Sequence, residues 1–288
     1  MAFVKYLFAL LLFGSNGIVA SFIKISSNHI VFFRTMFGSI TLLIIFLFSK
    51  RKWTFYKNKK QFICLCVSGV SMGASWMFLY KAYALVGVSI ATLCYYTGPV
   101  LVMIAAPFMF NEKLSWHKIV GFFIVLAGVF LISGNLNGTI EKGGILYALL
   151  SAVTYSFMVL FNKKAKNIEG IENTCLQLSI SFVTVFLFLI LTNDFDIVVS
   201  KTDILPLLLL GVFNTGFGCW LYFSSISKLP VQTVAVFGYT EPLSAIVFSA
   251  IILGEILLPL QFVGGVLIIT GAIFAEFFFK KQQKSTLV

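Results

Sequence analysis

Long apolar stretches separated by short polar loops fill most of the chain. Runs such as Ile40-Thr41-Leu42-Leu43-Ile44-Ile45-Phe46-Leu47-Phe48 stay apolar without alternation. A barrel strand would alternate lipid-facing apolar and lumen-facing polar positions. Only helices and closed barrels satisfy the backbone inside lipid, so the pattern predicts helices. Ten runs stand out, at 3–23, 29–49, 61–84, 88–110, 116–134, 143–161, 173–192, 204–227, 231–253 and 259–279. Each is close to the ~20 residues that cross a bilayer core as a helix. The first run has a signal-peptide look, with Lys5 followed by Leu7 to Phe13. It lacks an A-x-A cleavage site and continues to Ile23, so a retained helix is expected.

Composition agrees with this. Of 288 residues, 59% are hydrophobic and only 11% charged, with a mean hydropathy of +1.01. A soluble domain carries about 25% charged residues and has too little interior to hide so much apolar surface. Soluble enzymes and nucleic-acid binders are therefore excluded as classes. The net charge of +11 falls in short loops and reads as the positive-inside rule. With the N-terminus in the cytoplasm, sixteen Lys and Arg residues face that compartment. Only Lys24, Arg34, Lys81, Lys142 and Lys201 face the other. Both termini are expected to be cytoplasmic, with residues 280–288 as a cytoplasmic tail. The basic loop 50–60 is expected to touch anionic lipid. The five cysteines suggest neither a disulfide framework nor a metal. Cys64-Leu65-Cys66 is not zinc-ligand spacing, and His29 and His117 fall in predicted loops. No metal and no cofactor are expected.

The chain repeats itself at an offset of 143 residues. Tyr96-Thr97-Gly98-Pro99 corresponds to Tyr239-Thr240-Glu241-Pro242, Glu112 to Glu255, Gly121 to Gly264, Gly128 to Gly271 and Gly73 to Gly216. The halves are residues 1–138 and 139–279, with five spans each. An odd number of spans per repeat reverses the second half in the membrane. Inverted repeats of this kind recur in secondary transporters, which place a substrate site near the bilayer midplane between the halves.

Tyr80-Lys81-Ala82-Tyr83-Ala84-Leu85, Pro99, Asn111-Glu112-Lys113-Leu114-Ser115, Gly121 and Gly128 resemble the repeat of the EamA family, within the drug/metabolite transporter superfamily. Glu241-Pro242, Leu253-Gly254-Glu255, Gly264, Gly265 and Gly271 form a second copy, and Arg34 fits the family's habit. Asn111 stands where a small residue is usual, and Gly98 faces Glu241 across the repeat, so the halves are chemically unequal. The resemblance implies an all-α integral membrane protein with ten transmembrane helices in two inverted five-helix repeats. It further implies a central cavity, with the fifth and tenth helices peripheral or in a homodimer. The implied setting is a bacterial inner membrane, and the implied activity is movement of small metabolites, most often outward.

Candidate site residues follow from their depth. Glu241 lies halfway along the ninth span, where an ionisable group costs a few kcal/mol and usually faces a cavity or a partner. It could hold a cationic group of the substrate, exchange a proton, or bond a neighbouring helix. Trp76, Tyr80 and Tyr83 share one helix face, and Tyr95 and Tyr96 precede Pro99 by a turn. Trp220 and Tyr239 occupy corresponding places in the second half. Aromatic faces attract ammonium groups and stack on rings. Asn16 offers hydrogen bonds at mid-depth, as do Ser15, Tyr155 and Ser156. Pro99 and Pro242 are expected to hinge or kink their helices. Arg34 and Lys81, near helix ends, are expected to reach the headgroups or pair structurally, and Glu112 and Glu255 to cap their helices.

These readings converge on a secondary-active carrier working by alternating access and exporting a small amine-bearing or amino-acid-like metabolite. Uptake of a quaternary amine such as choline is the alternative within the class. A non-transporting structural or sensory protein is the alternative outside it. No G-x-x-x-x-G-K-[ST] phosphate loop is present. No paired intramembrane carboxylates or H-E-x-x-H motif points to an enzyme. The expected partners are a small-molecule substrate and the lipid bilayer, with no nucleic acid.

Overall fold

The apolar runs are helical in the computed structural model, which describes residues 1–50, 52–111, 116–133, 142–194, 196–254 and 259–285. In chain order the helices are α1 (Ala2–Gly14), α2 (Asn16–Ser21), α3 (Ser27–Phe48), α4 (Lys59–Tyr95), α5 (Gly98–Phe110), α6 (Trp116–Ser133) and α7 (Lys142–Lys164). They continue as α8 (Gly170–Thr192), α9 (Lys201–Leu208), α10 (Gly218–Ile226), α11 (Val231–Phe237), α12 (Thr240–Phe248) and α13 (Pro259–Ser285). A π-helical stretch, Leu209–Phe217, joins α9 to α10, and another, Ser249–Leu253, extends α12. Among the described residues seven helical stretches are long and apolar enough to cross a membrane, and Gly98–Phe110, Trp116–Leu131 and Phe262–Gly271 are shorter apolar helices. Leu47, Phe108 and Phe130 are among many large apolar side chains turned outward. That surface belongs against lipid, so this is a multi-pass membrane protein of the all-α class.

One boundary differs from the sequence reading. The third and fourth runs do not separate near residue 86, because α4 continues unbroken to Tyr95. Leu85, Val86 and Gly87 contain no proline and a single turn-forming residue, so nothing stops the helix there. The break comes at Tyr96 and Thr97, just ahead of Pro99, which supplies no N–H and suits the first turn of α5. Thr97 closes the turn, its N–H and hydroxyl both donating to the Cys94 carbonyl. The same device recurs between α11 and α12. There Gly238 and Tyr239 lie outside both helices, and the Glu241 N–H donates to the Gly238 carbonyl.

Glycines set the closest approaches between helices. A Cβ on Gly14 of α1 would stand 2.9 Å from the Glu241 carbonyl oxygen of α12. The fifth and tenth expected spans, α6 and α13, pack on each other within the chain. A Cβ on Gly128 would lie 2.6 Å from the Gly264 oxygen, and one on Gly271 would lie 2.7 Å from the Gly121 oxygen. The two contacts are reciprocal at the 143-residue offset.

Polar clamps fix the ends. The Glu172 carboxylate accepts from the Thr54 hydroxyl at 2.7 Å and the Phe55 N–H at 2.9 Å, tying the basic loop to α8. The Lys163 ammonium donates to the Leu229 carbonyl. At the other end Asn28 donates to Asp194 at 2.8 Å, and the His29 ring lies 3.1 Å from the same residue. His29 therefore belongs to the first turn of α3 rather than to a loop. Glu112 and Glu255 lie outside the described residues.

Candidate functional site

A cavity of about 630 Å³ runs from Ile25 in the α2–α3 loop and Ser27 at the start of α3 inward to Glu241 and Leu10. Its walls come from α1, α2, α3, α4, α7, α10 and α12, together with the α4–α5 break, so both halves of the chain contribute. Each helix brings one face to it. Trp76, Tyr80 and Tyr83, at spacings of four and three, form a stripe on α4. The Tyr80 and Tyr83 rings lie 5.4 Å apart. Tyr95 stacks edge-on against Tyr155 at 5.4 Å, and the Tyr155 and Tyr222 hydroxyls approach to 3.5 Å. Tyr95, Tyr96, Tyr155 and Tyr222 all face the space.

Two opposite charges line the same cavity. Arg34, only 4% exposed, does not reach for headgroups. Its Nε–H donates to the Thr215 hydroxyl at 3.1 Å, and its guanidinium carbon lies 4.3 Å from the centre of the Trp76 ring. The pair of contacts holds the cation inward, so of the two expectations, headgroups or a structural pair, the headgroup one does not hold. Glu241, on the first turn of α12, also lines the cavity. Among the described residues the ion pair is His29 with Asp194. Arg34 and Glu241 are thus not bonded to each other, and no described donor lies within bonding distance of the Glu241 carboxylate. Lys81, in contrast, is exposed.

The other candidate residues divide. Asn16 lines the cavity, and its side-chain oxygen accepts from Asn214 at 3.0 Å. Asn214 also donates to Ser15 Oγ at 2.9 Å, so α1, α2 and the π-helical stretch share one polar node. Pro242 and Pro99 are both buried, at the starts of α12 and α5, and of the two Pro242 lines the cavity. Tyr239 is wholly buried behind Tyr96, its hydroxyl donating to the Tyr96 carbonyl at 2.7 Å. Trp220 faces a separate cleft of about 380 Å³ with Lys5, whose ammonium lies 5.6 Å from the ring centre. The 143-residue offset explains its position. It pairs Trp76 with Cys219, and Cys219 lines the main cavity while Trp220 points one helical step away. Tyr222 was not among the candidates. Its signal was available, since it lies three positions after Cys219 on the same face.

On the side away from Ile25 the cavity is sealed. The Tyr6 hydroxyl donates to the Val234 carbonyl at 2.7 Å. The Phe3 and Phe237 rings meet edge-on at 4.8 Å, and Tyr239 fills the space between Tyr96 and Phe122. An aromatic chamber with an acid and a base, closed at one end, can hold a small charged molecule out of water.

Comparison with known proteins matches the chain to a family described as "EamA-like transporter family" over residues 2–134 and again over 142–277. An uncharacterized transporter of Bacillus subtilis, YxxF, is 26% identical over 88% of this chain and 82% of its own length. A "probable amino-acid metabolite efflux pump" of Salmonella typhimurium is 26% identical over 63% of this chain and 64% of its own length. A solved crystal structure superposes with a TM-score of 0.83 at 17% identity, covering 95% of this chain and 97% of that one. At that identity the likeness speaks for the fold alone.

Proposed function

Because the chain belongs to the EamA-like transporter family, we propose that it is a secondary-active carrier that moves a small zwitterionic, amino-acid-like metabolite by alternating access. The observation that carries the proposal is one cavity lined by Arg34 and Glu241, which are not paired with each other. A buried charge left without a partner is costly. A ligand carrying one carboxylate and one ammonium would neutralise both. The Trp76, Tyr80, Tyr83, Tyr95 and Tyr96 rings would surround its side chain and the ammonium. Arg34 in the chamber repels a bare cation, which weighs against the quaternary-amine alternative.

The inverted five-helix repeat, with halves at 1–138 and 139–279, supports alternating access. The reciprocal glycine contacts between α6 and α13 are what a two-fold relation between the halves would produce. Their use in packing these helices together inside one chain removes one reason to invoke a homodimer. Lys5 and Lys228 line one cleft with Ser49, the neighbour of Lys50, on the face opposite Ile25. By the positive-inside rule that face is cytoplasmic, both termini lie there, and the cavity reaches the outer face. Outward movement across a bacterial inner membrane is consistent with the relative named an efflux pump.

The test is a ligand-stabilisation panel of amino acids, amines, choline-like cations, carboxylates and nucleosides on purified wild-type protein and Glu241→Gln. Amino acids should stabilise the wild type most, and the variant should lose about tenfold in affinity for ammonium-bearing ligands, the order expected for one charge-assisted contact. Choline-like cations outranking every zwitterion, or an unchanged amine affinity in Glu241→Gln, would refute the assignment.

A further inference from the structure

Tyr96 and Tyr239 hold the same place in the two halves, 143 residues apart, and they touch each other. Their rings lie 5.8 Å apart. Each stands in the break of its own helix, between α4 and α5 or between α11 and α12, so each carbonyl lies outside regular helix. The contact nevertheless runs one way. The Tyr239 hydroxyl donates to the Tyr96 carbonyl, while the Tyr96 hydroxyl bonds none of the described residues. Tyr96 lines the cavity and Tyr239 is 0% exposed behind it.

Two positions that are equivalent in the repeat but unequal in the structure have a second arrangement of the same kind, reached by exchanging their roles. We infer that Tyr96 and Tyr239 make this exchange. When the cavity opens to the opposite face, the Tyr96 hydroxyl donates to the Tyr239 carbonyl, and Tyr239 becomes the tyrosine that lines the site. The inference rests on the alternating-access reading. It adds which hydrogen bond marks each state and which tyrosine the substrate meets from each side.

The energetics favour such a switch. A buried acceptor left unbonded costs more than a net hydrogen bond returns. Trading one bond for its counterpart gives both end states the same kind of contact. Neither state then gains a standing advantage from this pair, and the small differential affinity of a substrate or ion can shift the balance. The exchange also names residues that report on it. Tyr83 lines the present cavity, and its counterpart at the 143-residue offset, Ile226, is fully buried. On exchange Ile226 should line the new cavity and Tyr83 should be covered.

The experiment uses full-length protein with the five native cysteines replaced and one reporter added, either Tyr83→Cys or Ile226→Cys. A membrane-impermeant maleimide is applied from each side of reconstituted vesicles. Tyr239→Phe removes the bond of the present state and nothing from the other. Labelling of Tyr83→Cys relative to Ile226→Cys should fall about fivefold, the population ratio that one net hydrogen bond sets. Tyr96→Phe, an equally small change, should raise the same ratio by a similar factor. A merely structural role would move both variants in one direction or neither, and that result overturns the inference. Reporter labelling that responds to added ligand in the parent chain, with no opposed response in the phenylalanine variants, sinks the exchange and leaves alternating access standing. If Ile226→Cys stays unreactive from both sides in every chain, alternating access itself fails.

Discussion

Arg34 donates to Thr215 through Nε while its guanidinium lies over the Trp76 ring, and lysine cannot make both contacts at once. Arg34→Lys keeps the charge, yet the ammonium is free to turn toward other acceptors. Affinity for a zwitterionic ligand should fall about tenfold, roughly the value of one well-placed cation contact. Affinity for an amine without a carboxylate should be unchanged or slightly higher. Titrations of both ligand types on purified variant and wild type would decide this, and an equal loss for the two would mean that Arg34 only shapes the cavity. Arg34 also shows why sequence alone leaves some side chains between two readings, here headgroups and a structural pair. Its distance from the helix end favours the headgroups, and only the fold brings Trp76 and Thr215 to it. Glu241 was easier to single out, because a carboxylate at mid-depth has few acceptable surroundings.

Helices pack in this protein where side chains are missing. Gly128 and Gly271 let α6 and α13 approach so closely that a Cβ would fall 2.6 or 2.7 Å from a partner carbonyl. Backbone atoms cannot swing away as a flexible side chain does, so the helices must separate. Gly128→Ala or Gly271→Ala should each destabilise the protein by about 1–3 kcal/mol, the usual range for overpacking. The readout is a lower unfolding temperature in detergent. Gly17→Ala is the control, since nothing lies within 4 Å of its added Cβ and stability should hold or rise slightly. Equal stability in all three variants would remove the close approach as the reason for the glycines. At this scale the sequence was most readable, since apolar length and the periodic glycines mark the spans without tertiary information. The end of α4 was not readable. A gap between apolar runs looks like a loop, but without proline or a polar turn the backbone keeps its helical bonds past residue 86.

At the scale of the molecule, the seal on the Lys5 side joins the two halves. Phe3 of α1 meets Phe237 of α11, and the neighbouring Tyr6 bonds the Val234 carbonyl. Under alternating access this seal must part once in each cycle, whereas a protein that only binds or senses has no need to open it. Phe3→Cys combined with Phe237→Cys, in a chain without other cysteines, allows a short bifunctional thiosulfonate to hold the two helices together. The linked protein should still bind ligand through the cavity that reaches Ile25 as the unlinked cysteine pair does, because both carry the same Cys219 replacement and linking changes no lining residue. Its transport in vesicles should fall at least tenfold, and reduction of the linker should restore it. Binding and transport would thereby be separated by a reversible link far from the charges proposed to select the ligand. Full transport with the linker in place would show that the halves do not part along this seam. The route through the membrane would then have to leave the cavity by another path.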